Sequence, residues 1–179
     1  MLLERLGLPF EALAPQVEET VLEGELPAAR ALRLARAKAA AVALHHPGAI
    51  VIGSDQVASL GTPGDARLLR KPGDRDTCRA QLIAMSGQTV SFDTAVALQQ
   101  GDIVLAYTEP THVQFRDLTA AAIEHYMDRE PAFDCAGGFK CEGLGVTLFQ
   151  SIGTRDPTAL VGLPLIWVCE ALRRLGVPV

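Results

Sequence analysis

The sequence predicts an α/β fold, a mixed twisted sheet flanked by helices around a central cleft, and three stretches carry that prediction. Pro27 to Leu44 has proline at the favoured first helical position and an alanine-filled interior. Ala49 to Ile52 is a short apolar run rich in β-branched residues, with the length and the glycine stop of a buried strand. Thr89 to Leu98 and Ile103 to Phe115 flank Gln99-Gln100-Gly101-Asp102 and form a hairpin whose inward register is Val90, Phe92, Thr94, Val96 and Leu98.

Taken in order, Leu2, Leu3, Leu6 and Leu8 have the rhythm of a helix flank that opens at Met1. Pro9 to Ala14 is extended and leads to Val17-Glu18-Glu19-Thr20, whose adjacent acids form either a solvated turn or part of a metal-binding rim. On the helix from Pro27, the cations Arg30, Arg33, Arg36 and Lys38 read as a solvated face, with an inward reach open to Lys38, which sits in an apolar run. Gly53-Ser54 ends the strand after Ile52 and delivers Asp55 to a loop. In α/β proteins, ligands collect at the carboxyl ends of strands. Asp55 there either caps a turn, or accepts a proton from water or holds a divalent cation.

A turn-rich loop, Gly61 to Asp65, runs on to Leu69-Arg70-Lys71-Pro72-Gly73, where Pro72 keeps Lys71 extended. Asp74 or Asp76 caps a helix to about Met85. Thr119 caps the next helix, with Leu118 and Ile123 as a hydrophobic staple, and that helix ends near Arg129. Asp134 to Gly145 holds four glycines in a short span, which implies close backbone approach to a ligand or to another segment. Lys140 and Glu142 add a cation and an acid beside it. Val146 to Ile152 reads as a strand, and Val161-Gly162-Leu163-Pro164 opens a final helix to Leu175.

With 179 residues, 49% hydrophobic and 21% charged, the chain predicts one globular domain, 1–179. A net charge of -5 argues against a broad nucleic-acid-binding face. No stretch reaches the roughly 20 apolar residues of a membrane span. Neither a signal peptide nor C-x-x-C spacing is present, so the four cysteines read as free thiols in a reducing cytoplasm.

Gly53-Ser54-Asp55-Gln56, Lys71-Pro72, the Asp134 to Gly145 loop and Val161-Gly162-Leu163-Pro164, in that order, resemble the Maf family of nucleoside triphosphate pyrophosphatases. Gly-Ser-Asp-Gln and Cys-Ala-Gly-x-Phe-Lys-x-Glu-Gly resemble its YceF-like subgroup, which acts on 7-methyl-GTP. The resemblance implies a Maf/ITPase-like fold and hydrolysis between the alpha and beta phosphates, with dependence on Mg²⁺ or Mn²⁺. It implies Asp55 as proton acceptor, Lys38 and Lys71 as cations for the phosphates, and Gln56 and Glu142 as base-specificity positions. Glu19 matches an acid of the cleft and, by residue type, shares the metal with Asp55. The expected partner is a nucleoside triphosphate, with no nucleic acid and no membrane; a homodimer is compatible. The alternatives are a dTTP, UTP or CTP pyrophosphatase, or a nucleotide-binding form with little activity. The family's opening strand and Ser-x-Ser-Pro-Arg loop have no counterpart in these residues, so a version extended upstream is expected to be more stable and more active.

Overall fold

The computed structural model describes residues 2–62 and 65–179. Met1, Pro63 and Gly64, where the helix opening and the middle of the Gly61 to Asp65 turn were expected, lie outside the described residues. Among the described residues five strands form one sheet: β1 (Val51–Leu60), β2 (Arg67–Leu69), β3 (Thr89–Gln100), β4 (Ile103–Phe115) and β5 (Phe149–Gly153). Their order is β2-β1-β3-β4-β5, with β1–β2 and β4–β5 antiparallel. Among the described residues four α-helices accompany them: α1 (Pro27–Ala43), α2 (Arg75–Met85), α3 (Ala120–Arg129) and α4 (Leu165–Arg174). The α/β class is as expected.

The chain packs into two compact units. The first comprises Met1–Gln56, Asp93–Glu109 and Arg155–Val179; the second comprises Val57–Phe92 and Pro110–Thr154.

In the first unit, Val96 and Leu98 of β3 pack on Val168, Ala171 and Leu172 of α4. Those α4 residues recur at helical spacing, so one stripe of the helix is buried. The start of α4 is satisfied from outside the helix: Asp156 accepts from the Ile166 N–H at 2.7 Å, and the Thr158 hydroxyl accepts from the Leu165 N–H at 2.9 Å. Leu3–Leu6 is a single 3₁₀ turn closed by Gly7 at φ 65° rather than a helix flank, and its leucines pack against this core. Tyr107 stacks on Trp167 at 5.5 Å. The inward register of β3 is as expected, but Ala95 and Ala97 are buried as well, so this part of the strand is covered on both faces.

In the second unit, Phe139 packs edge-on against Phe92, Phe115 and Phe149, with centroids 5.0 to 5.5 Å apart. Asp74 caps α2 and Thr119 caps α3, each accepting from a backbone N–H three residues on. The expected strand at Val146 starts only at Phe149, because Leu144–Leu148 is wound into 3₁₀ turns. At the start of these turns the Glu130 carboxylate accepts from the Gly145 N–H at 3.1 Å and lies where a side chain at Gly143 would stand.

Arg75 and Arg79 of α2 both grip Glu124 of α3. Hydrogen bonds and charge from Arg79 and then Arg75 pull the Glu124 carboxyl from 4.5 down to about 2. A depressed acid stabilises the fold above its unfolded value, and that contribution disappears as pH falls from 4.5 toward about 2. Glu124→Gln is therefore expected to flatten the fall in melting temperature across that acid window. An unchanged acid slope would remove Glu124 from the account.

Candidate active site

The site in the first unit is built where α1 crosses β1. Ala31, Leu34, Ala35 and Ala39 form the buried stripe of α1. A Cβ added to Gly53 would lie 2.4 Å from the Ala35 carbonyl oxygen and 2.5 Å from the Ala39 nitrogen, so the helix backbone rests directly on the strand at this glycine. Gly53 therefore does not stop the strand, contrary to the sequence expectation: β1 continues to Leu60, and Asp55 stands in mid-strand rather than at its carboxyl end. Alternation along β1 puts Asp55 on the same face as Gly53, under α1. Lys38, beside Ala39, is thereby brought over Asp55.

Lys38 Nζ lies 2.6 Å from Asp55 Oδ1 and 2.8 Å from Glu19 Oε1, so one ammonium is held by two carboxylates. Burial opposes its charge, but the Asp55 and Glu19 hydrogen bonds outweigh it and the Lys38 pKa rises. The side chain of Asp55 is 12% exposed. Burial pushes its pKa above the usual value, the Lys38 ammonium offsets part of that, and Glu19 adds to it. A half-buried carboxylate with a raised pKa is a better proton acceptor than a solvated one.

Glu19 belongs to an irregular segment that α1 ties down. Arg30 Nη2 donates to the Glu19 carbonyl at 2.8 Å, and Arg33 Nη2 donates to the Thr20 carbonyl at 3.0 Å. Arg33 also forks onto Glu25 at 2.6 and 2.7 Å. These two arginines are thus braces rather than part of a solvated face; Arg36 is exposed as expected. The available signal was two arginines three residues apart on one helix face, downstream of adjacent acids.

Ser54 and Gln56 point the other way. The Ser54 hydroxyl lies 2.8 Å from both the Ala95 and Gly162 carbonyls. Gln56 Nε2 donates to Thr94 Oγ1 at 2.8 Å and toward the Ala159 and Leu160 carbonyls at 3.1 and 3.2 Å. Thr94 was the polar member of the inward register of β3, which was the clue to it. β2 pairs only with Ala58, Ser59 and Leu60, so among the described residues no strand borders the earlier part of β1 on that side.

Lys71 and Glu142 lie in the second unit. Lys71 is exposed on a loop held to the glycine-rich segment, as the Gly73 N–H donates to the Phe133 carbonyl at 2.9 Å and Pro72 packs against Gly138. A hydrogen bond with its own backbone and then the Lys140 charge lower the Asp134 pKa, with Lys71 adding to this. Gly137 and Gly138 adopt φ of 76° and 73°, conformations that favour glycine, so the loop's glycines serve its own folding as well as close approach. Glu142 is exposed and accepts from the Cys141 thiol at 3.3 Å. Burial, then Glu142, pushes that thiol up to about 12. All four cysteines are free.

Among the described residues no group of three or more His, Cys, Asp or Glu converges as a metal cage. Glu19 and Asp55 nevertheless converge on a single cation, the Lys38 ammonium. Two hard oxygen donors suit Mg²⁺ or Mn²⁺, which keep several waters and borrow further ligands from phosphate. The donor set fits such an ion. No helix among the described residues is long and apolar enough to cross a membrane.

The family described as Maf-like protein matches residues 1–175. A 7-methyl-GTP pyrophosphatase of Xanthomonas oryzae pv. oryzae (strain MAFF 311018) is 56% identical over 175 residues, 98% of this chain and 90% of that protein. A protein of the same name from Bordetella avium (strain 197N) is 50% identical over 175 residues, 98% of this chain and 87% of its own. One from Cupriavidus metallidurans is 47% identical over 180 residues, 99% and 88% of the two chains.

Proposed function

The chain belongs to the Maf family, and from that premise we propose that it is a nucleoside triphosphate pyrophosphatase that hydrolyses 7-methyl-GTP to 7-methyl-GMP and pyrophosphate, clearing modified nucleotides from the pool. The observation that carries the chemistry is Lys38 Nζ at 2.6 Å from the half-buried carboxylate of Asp55.

In this reading the Asp55 carboxylate, held by Lys38, takes the proton of the attacking water. Lys38 orients Asp55 and neutralises phosphate oxygens as charge develops on them. Lys71 supplies a second cation. Glu19 and Asp55 would hold a divalent ion, Mg²⁺ or Mn²⁺, which would neutralise charge on the triphosphate. Gln56 and Glu142 read the base. Methylation at N7 makes guanine cationic, so a carboxylate at Glu142 favours it over neutral guanine. The free thiols suit a reducing cytoplasm.

A nucleotide panel with Mg²⁺, assayed for pyrophosphate, tests the reading. Release from 7-methyl-GTP well above that from dTTP, UTP or CTP is expected, and removal of divalent ions should abolish it. Release from pyrimidine nucleotides alone would move the chain to another subgroup, and saturable binding without product would make it a nucleotide-binding protein. Glu142→Gln should lower the preference for 7-methyl-GTP over GTP by about tenfold while leaving the rate constant for bound substrate nearly intact. An unchanged preference would end that role.

A further inference from the structure

We propose that Thr94 is a positioning residue for base recognition, fixing the Gln56 side-chain amide so that its oxygen, Oε1, is the acceptor offered to the N–H groups of the nucleobase. The inference rests on the pyrophosphatase reading and deepens it by assigning the atom through which Gln56 acts.

The orientation of a glutamine amide is set by what surrounds it. Gln56 Nε2 faces three oxygens, Thr94 Oγ1 at 2.8 Å and the Ala159 and Leu160 carbonyls at 3.1 and 3.2 Å. The two carbonyls only accept, so they favour the amide nitrogen over the oxygen, but at 3.1 and 3.2 Å they share one proton, and the shorter bond to Thr94 holds the other. Thr94 is in the same position: its one hydroxyl proton goes to the Ala159 carbonyl at 2.9 Å, which leaves a lone pair for Gln56. One Nε2 proton is taken by Thr94 and the other is shared between the carbonyls. Among the described residues none donates to Oε1. Thr94 is fully buried, so water does not compete for its hydroxyl.

The chemical consequence is selection for a donor edge. Guanine presents N1–H and the 2-amino group where adenine has a bare ring nitrogen and no amine. A locked acceptor gains a hydrogen bond from the first and meets a lone pair on the second. If the amide turned freely, it would offer its NH₂ to adenine and lose the distinction.

Binding separates this inference from the catalytic one, because it needs no cleavage. Calorimetry with 7-methyl-GMP and AMP should show a preference for 7-methyl-GMP in the unaltered chain. Thr94→Val should reduce that preference about tenfold, the size of one hydrogen bond, and Thr94→Ser should restore it. Gln56→Met should lose as much, and the double variant no more than either single change, because both act through one contact. A preference kept in Thr94→Val, lost equally in Thr94→Ser, or multiplied in the double variant would overturn the proposal. So would equal affinity of the unaltered chain for the two ligands. Should Thr94→Val fail to fold, the Gln56 side-chain amide protons of the unaltered chain decide: slow exchange supports the lock and exchange at the solvent rate refutes it. Failure to release pyrophosphate from 7-methyl-GTP would refute the catalytic reading and leave these binding outcomes standing.

Discussion

Asp55→Asn is expected to lower pyrophosphate release by about a thousandfold or more while the chain still folds, the range associated with loss of a positioned proton acceptor. The amide keeps the size of the carboxylate but cannot hold the water's proton at neutral pH. Folding should survive for a local reason. Lys38 retains Glu19 at 2.8 Å, so its ammonium is not left unpaired. Asp55 is itself penalised by burial, and a neutral amide escapes that penalty. The stability change should stay near 1 kcal/mol, well short of the cost of orphaning a buried charge. Release within about tenfold of the unaltered rate would show that another group takes the proton.

Gly53→Ala should have the largest effect on stability. The new methyl carbon would meet backbone atoms of α1, the Ala35 oxygen and the Ala39 nitrogen, at 2.4 and 2.5 Å. Backbone cannot rotate away as a side chain can, so α1 must lift off β1. The expected cost is about 3 kcal/mol or more, a fall in melting temperature on the order of 10 °C for a chain of this size. Because Lys38 rides on the displaced helix, the folded fraction should also lose activity. A melting temperature within about 2 °C of the original would mean that the helix moves freely at this contact.

Gly53 also shows where the sequence misleads. Its glycine reads as a local stop, but the requirement is tertiary: a helix arrives from a different part of the chain and leaves no room. Asp55 was accordingly found by residue type and motif but placed at the wrong point of its strand. α1 was legible because Pro27 and the alanines act locally. The caps at Asp74 and Thr119 were legible for the same reason, each bonding three residues away. Glu19 stayed open between turn and metal rim because its position depends on Arg30 and Arg33 holding its backbone. The strand begins at Phe149 rather than Val146 because Leu144–Leu148 forms 3₁₀ turns, where Gly145 bonds Glu130, a partner outside the local stretch. Lys38, in contrast, takes the inward option that its apolar neighbours left open beside a solvated face.

The segregation of aromatic side chains gives each unit its own spectroscopic signature. The only tryptophan, Trp167, is stacked on Tyr107 within the first unit, whereas Phe92, Phe115, Phe139 and Phe149 cluster in the second. Indole emission during denaturation therefore follows the half that carries Asp55, and fluorinated-phenylalanine NMR signals assigned to those four positions follow the half that carries the glycine-rich loop, while the Phe10 signal belongs with the first unit. Coincident transitions would establish that the two melt as one cooperative body, and separated ones would date the loss of each half.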